Sequence, residues 1–228
     1  MTGNFADAVS ANIGISNSYI RTKVRKIIWL IACLPLLYLA YKMAWGFEYT
    51  QNIASFIYDH GGSFLGKLPN DPLKFMADLL GITAVQFLIA TLSVTPLRLY
   101  LKINLVKYRR LLGLWTFAYA LMHSLYFFLG VNEGSFAMMF ADILKRPFVL
   151  FGAGGLVILA FMAATSTKKL FARFVKWHRL VYLAAVLIAL HYMMSQKIIG
   201  LHVALYVAVL AALLALRLFK ALRDRALR

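Results

Sequence analysis

Six stretches of this chain run apolar for roughly 18 residues or more, the length an α-helix needs to cross ~30 Å of hydrocarbon. They fall at Ile27–Trp45, Leu79–Leu97, Leu111–Leu129, Phe148–Ala164, Val181–Met194 (starting near Trp177) and Ile198–Leu216. In lipid every backbone N–H and C=O must be satisfied within the protein, which restricts a spanning chain to helices or a closed barrel. No run alternates apolar and polar residues as a barrel strand does. The expected fold is an all-α integral membrane protein, a six-transmembrane-helix bundle. Its parts are an N-terminal arm over 1–26, the membrane domain over 27–216 and a basic tail over 217–228. Pro35 is expected to kink the first span, and Pro96 to end or bend the second.

The connecting segments set an orientation. One side receives Arg21, Lys23, Arg25 and Lys26, then Arg98, Lys102, Lys107, Arg109 and Arg110. It also receives Lys168, Lys169, Arg173, Lys176 and Arg179, and finally Arg217, Lys220, Arg223, Arg225 and Arg228. The other side carries Lys67, Lys74, Lys145, Arg146 and Lys197 beside Glu48, Asp59, Asp71, Asp78, Glu133 and Asp142. The positive-inside rule places both termini in the cytoplasm, with the basic run ahead of Ile27 leading into a retained first span rather than a cleaved signal peptide. A net charge of +17 would suggest nucleic acid in a soluble protein. At span ends, orientation and lipid headgroups account for it, and no nucleic-acid partner is expected. Cys33 is the only cysteine, which excludes an intrachain disulfide, a cysteine zinc cluster and a C-x-x-C-H heme attachment.

Two histidines lie at matched depth in different spans. His123 follows the basic flank Lys107, Arg109, Arg110, and His191 follows Lys176 and Arg179. Each sits ~20 Å along its helix from that flank, in the outer half of a span running from inside to outside. An ionisable group at such depth is a functional-site hypothesis by default. Singly, each reads equally well as a polar residue bonding across helices. As a pair at one level they point to axial ligation of a heme.

The remaining histidines carry less. His60 belongs to a loop beside Gly61 and Gly62, and His202 to the outer interface. His178 is thirteen residues before His191, at the cytoplasmic edge and rotated by ~220° on an ideal helix. The third span has no histidine at that level; its residues there are Arg109 and Arg110. His178 and these arginines fit two readings equally: ordinary interfacial residues, or partners for heme propionates, a flavin phosphate or a quinone.

Other chemistry is sparse. No G-x-G-x-x-G, P-loop or H-E-x-x-H occurs. Thr83, Thr91 and Ser93 read as helix-packing residues, and Gly152, Gly154 and Gly155 as points of close helix approach. Trp29, Trp45, Trp177 and Tyr108 fit an interfacial belt.

Several segments together resemble a known family. Thr95-Pro96-Leu97-Arg98, Arg109-Arg110-Leu111-Leu112-Gly113-Leu114-Trp115 and Leu121-Met122-His123 are similar to MsrQ-type proteins, as are Thr165-Ser166-Thr167, Trp177-His178-Arg179-Leu180-Val181-Tyr182-Leu183 and Leu190-His191-Tyr192. These are the heme-binding membrane subunits of bacterial MsrPQ systems, within the ferric-reductase-like transmembrane superfamily. The resemblance covers roughly residues 70–195. It implies b-type heme, an association with FMN, quinol as electron source and a periplasmic molybdopterin partner, MsrP, that reduces methionine sulfoxide. It also implies that His123, His178 and His191 are the family's histidines. Related oxidases carry two histidines on each of two spans, whereas this chain has one in its third. One heme is therefore expected on the outer side, with a second at His178 open.

The expectation is an electron-transfer subunit in the bacterial inner membrane, with the substrate chemistry on the partner and a cytoplasmic flavin reductase as a further candidate donor. His123 and His191 would hold heme b, while His178, Arg109 and Arg110 would serve an inner cofactor or quinol site. The alternatives are a metal reductase or quinone-linked cytochrome serving another partner, and a cofactor-free transporter or scaffold. No internal repeat of the transporter kind is evident.

Overall fold

The structure is a computed structural model that describes residues 17–46, 72–196 and 200–226. The loop expectations for His60, Lys67, Glu48, Asp59 and Asp71, and for Lys197, lie outside these residues, as does most of the N-terminal arm. Among the described residues there is no strand. Six helices are long and apolar enough to cross a membrane, as expected for a multi-pass membrane protein.

The helices in chain order are α1 (Asn17–Gly46), α2 (Pro72–Tyr100), α3 (Arg109–Tyr126), α4 (Phe136–Lys145), α5 (Pro147–Ala164), α6 (Lys168–Phe174), α7 (Val181–Ser195) and α8 (Leu201–Ala226). Short 3-10 turns, Val106–Tyr108 and Trp177–Leu180, lead into α3 and α7, and a π-turn over Phe127–Val131 closes the third span. The first helix begins well before Ile27, and the last continues past Leu216. Arm and tail are therefore partly helical extensions of the spans.

α2 is the central element. One face of it joins Leu80, Ala84 and Phe87 to Ala32 of α1 and Tyr119 of α3. The other joins Val85, Leu88 and Leu92 to Val181 and Ala185 of α7 and Leu210 of α8. Many large apolar residues outside these seams stay exposed, among them Leu30, Leu34 and Leu37 of α1 and Leu205 and Val209 of α8. A bundle dissolved in hydrocarbon has no reason to hide them. Thr83, Thr91 and Ser93 donate to the carbonyls of Leu79, Phe87 and Ile89 one turn back. Each satisfies its hydroxyl within its own helix, as the packing reading expects.

α2 and α3 make one extensive antiparallel pair, α5 and α7 another, and α3 against α5 joins them. Along the first pair an aromatic column runs from Trp29 to Trp115 (5.0 Å between centroids) and on through Phe87 to Tyr119. The Tyr119 hydroxyl donates to the Ala32 carbonyl, one turn before Pro35. This ties the peripheral α1 to the bundle.

Pro96 neither ends α2 nor leaves its consequence unmet. Helix continues to Tyr100, but proline has no N–H, so the Leu92 carbonyl one turn back loses its helical donor. Arg217 supplies the replacement: its Nη2 donates to Leu92 O at 3.2 Å, and its Nη1 to the Tyr182 hydroxyl at 2.9 Å.

The connection between the third and fourth spans forms α4, a helix the apolar-run reading left unassigned. Ser135 caps its N-terminus by accepting from the Met138 N–H. Phe136, Phe140 and Leu144, spaced at four residues, make an exposed apolar stripe of the kind that lies in a membrane interface. Asp142 pairs with Arg146 at 3.2 Å just before Pro147 starts α5.

Candidate bis-histidine site

The two deep histidines come together. The ring centroids of His123 on α3 and His191 on α7 are 6.1 Å apart, with the planes crossing at 76°. Each ring is tied to a neighbouring helix in the same way. His123 Nδ1 donates to the Ala77 carbonyl of α2 at 2.9 Å, and His191 Nδ1 donates to the Phe148 carbonyl of α5 at 2.7 Å. A carbonyl only accepts, so each Nδ1 carries the proton and each Nε2 keeps its lone pair. This is the tautomer and the outer hydrogen bond that metal-ligating histidines need.

Glycine makes both bonds reachable. In a helix the carbonyl of residue i points toward residue i+4. The residue four after Ala77 is Gly81, and the residue four after Phe148 is Gly152. A Cβ on Gly81 would stand 3.2 Å from His123 Nδ1, and one on Gly152 would stand 2.8 Å from His191 Nδ1. Two unrelated helix pairs thus use one device, a glycine notch through which imidazole reaches the backbone. The close-approach reading of Gly152 holds, with the approaching group a histidine ring. Gly155 fits the same reading more simply, facing Ile188 of α7. Gly81 drew no notice in the sequence. Its signal would have been its place near the end of the second span opposite the basic flank, the level at which His123 stands in the third.

The pair suits a metal held between two imidazoles. With metal–imidazole bonds of ~2 Å, rings on opposite sides of one ion have centroids ~6 Å apart. No cluster of three or more His, Cys, Asp or Glu side chains occurs among the described residues. This donor set fits an ion whose other ligands come from a macrocycle better than one caged by protein alone.

At the other end of the bundle, His178 sits in the turn before α7. Its Nε2 lies 3.2 Å from Thr165 Oγ1, whose own proton goes to the Phe161 carbonyl at 2.8 Å. His178 therefore donates through Nε2, and Phe171 packs against its ring at 4.6 Å. Metal ligation by His178 would have to use Nδ1 or displace Thr165. Arg109 is half-buried and close enough for its charge to act on both His178 and Arg217. Arg110 is exposed. The structure thus groups Arg109 with His178 and leaves Arg110 facing outward.

Arg217 lies at the end where charge counting groups it, but its contacts go beyond a flanking role. It reads as one more basic flank, yet it turns inward between α2 and α7, over the Tyr182 ring, with a buried Nε that has no hydrogen-bond partner. Arg98 and Arg109 are its charged neighbours. This end collects cations around a half-buried guanidinium and is chemically suited to an anionic group.

The comparisons with known proteins fit this architecture. The sequence pattern described as ferric reductase like transmembrane component matches residues 72–189, more than half of the chain. The chain is 42% identical over 167 residues to the protein-methionine-sulfoxide reductase heme-binding subunit MsrQ of Rhizobium meliloti (strain 1021), covering 72% of this chain and 76% of that protein. The chain belongs to the MsrQ family. A second relative, MsrQ of Salmonella newport (strain SL254), is 35% identical over 209 residues, covering 86% of this chain and 95% of its own length. No solved structure matches. Three residues of the double notch, Gly81, His123 and Gly152, fall within the matched ferric-reductase-like region, and His191 lies just beyond its end.

Proposed function

We propose that the chain is a heme b membrane subunit passing electrons from membrane quinol to a periplasmic molybdopterin methionine-sulfoxide reductase, MsrP. The observation that carries this reading is the His123–His191 pair, with both Nδ1 protons anchored to backbone carbonyls, both Nε2 atoms left with their lone pairs, and the ring centroids 6.1 Å apart. The MsrQ relatives, named as heme-binding subunits, and the ferric-reductase-like match support it.

His123 and His191 would be the axial ligands. The heme would supply reversible one-electron chemistry at its iron. The chain's own contribution is positional. The Ala77 and Phe148 carbonyls hold each ring's tautomer and orientation, and the glycine notches keep the rings at that distance from α2 and α5. Because each ring is anchored to a different helix pair, the site depends on the packing of α3 against α5. Sulfoxide reduction takes two electrons and two protons and yields the thioether and water; in this reading it takes place on the partner.

Orientation follows the charge pattern. With the basic ends of the helices in the cytoplasm of an inner-membrane protein, the histidine pair lies in the outer half, toward a periplasmic acceptor. The buried, unpartnered Nε of Arg217 favours a second reading for the other end. Arg109, Arg217 and His178 would meet the propionates of a second heme or the phosphate of FMN, within reach of a cytoplasmic flavin reductase.

The test is reconstitution. Protein in vesicles with quinol and the sulfoxide reductase should reduce methionine sulfoxide. His123→Ala or His191→Ala should abolish that activity, while the partner still works with a direct chemical donor. Full activity in both variants would defeat the proposal.

A further inference from the structure

Gln86 sits near the middle of the span Phe75–Tyr100 and is exposed there. Its Nε2 donates to the Tyr206 hydroxyl of α8 at 2.7 Å. The Tyr206 ring in turn meets Tyr192 of α7, at 6.2 Å between centroids. Tyr192 is only 7% exposed, its hydroxyl has no hydrogen-bond partner, and it directly follows His191. A chain of polar groups therefore leads from the lipid face to the residue beside the histidine pair, and it includes one amide open to hydrocarbon and one orphaned hydroxyl.

We infer that Gln86 and Tyr206 form the docking point of a quinone or quinol headgroup that arrives through the lipid. A side-chain amide facing hydrocarbon has neither water nor backbone to satisfy it. Phospholipid headgroups stay at the interface, too far from mid-span to serve. A lipid-soluble molecule with a hydrogen-bonding ring does reach that depth. Gln86 matches both of its redox forms, since Oε1 accepts from a quinol hydroxyl and the remaining amide proton donates to a quinone carbonyl. The Tyr206 hydroxyl stands within the same hydrogen-bonded group.

The inference rests on the heme reading of the histidine pair for its electron balance. One quinol oxidised to quinone releases two electrons and two protons. A heme iron held by His123 and His191 would take these electrons one at a time, the first passed on to the partner reductase before the second arrives, and the protons would leave to the aqueous phase.

The experiment uses the full chain in lipid nanodiscs, with an azido-ubiquinone as photolabel and a soluble ubiquinol as donor. Label should map to the peptides holding Gln86 and Tyr206, and should fall roughly tenfold in Gln86→Leu, the scale of one lost ligand hydrogen bond. Ubiquinol-driven heme reduction should slow by a similar factor in Gln86→Leu and in Tyr206→Phe, while the dithionite-reduced spectrum stays that of the wild type. Unchanged labelling and unchanged rates in both variants would overturn the site. So would a Gln86→Leu variant that converts a dimer to a monomer with labelling undiminished, which would assign the amide to a contact between two copies. If the wild type holds no heme, the heme reading falls, and the labelling arm alone decides the docking site.

Discussion

Gly152 and His191 are in such close register that a Cβ on the glycine would stand 2.8 Å from the imidazole Nδ1, inside van der Waals contact. The ring cannot retreat without losing the Phe148 carbonyl, 2.7 Å from that nitrogen. Gly81 repeats the arrangement toward His123 with slightly more room, at 3.2 Å. Gly154 faces only the flexible Leu187 Cδ1 at 3.4 Å. Gly152→Ala should therefore lower heme affinity by roughly 10–100-fold, the usual scale for disturbing a ligand's outer hydrogen bond. Gly81→Ala should lower it less, and Gly154→Ala should behave as wild type. Heme titration of purified apoprotein reads the three directly, and an unaffected Gly152→Ala would show that the notch is not needed.

Arg217 and Pro96 should be energetically coupled through Leu92. Arg217→Met leaves the Leu92 carbonyl without a donor and should cost about 1–3 kcal/mol, the penalty for an unsatisfied buried group. Pro96→Ala restores a backbone N–H one turn after Leu92, so the arginine substitution should cost less in that background. A double-mutant cycle on thermal unfolding in detergent measures this coupling. Strict additivity would mean that the arginine does not stand in for the missing helical donor.

His178 should be separable from the outer pair. Its Nε2 is engaged by Thr165, at the opposite end of α7 from His191. His178→Ala and Thr165→Val should leave the axial signature of the His123–His191 centre in place. Any change in heme stoichiometry would then report a second cofactor at the basic end. Loss of all heme in His178→Ala would place it in the outer site's support.

Orientation is open to direct labelling. In a Cys33→Ser background, Glu133→Cys should react with a membrane-impermeant maleimide added to intact cells, and Arg225→Cys should react only after the cells are opened. The reverse pattern would invert the bundle and put the histidine pair on the cytoplasmic side.

Much of this architecture was legible in the sequence because it follows from one-dimensional quantities. Length and hydropathy fix which segments span, and the fixed helical rise turns a count from Arg110 or Arg179 into a depth. That is why His123 and His191 could be matched before their rings were known to meet. What was hidden depends on rotation about each helix axis and on which helices are neighbours. The bonds from His123 to Ala77 and from His191 to Phe148 join residues 46 and 43 positions apart, and no period in the sequence announces them. Arg217 was masked by a sufficient alternative, since a basic residue at a span end needs no explanation beyond topology. Helix α4 was readable in retrospect, from the Ser135 cap, the four-residue spacing of Phe136, Phe140 and Leu144, and the Pro147 stop. It is too short to register as a span.

Ligation of one heme iron by both His123 and His191 can be read from the visible absorption and low-temperature electron paramagnetic resonance spectra of protein purified from a heme-replete host. The wild type should give a low-spin b-type spectrum. His123→Ala and His191→Ala should each lose it, retaining five-coordinate high-spin heme or none. Low-spin spectra identical to wild type in both variants would show that His123 and His191 are not the ligands.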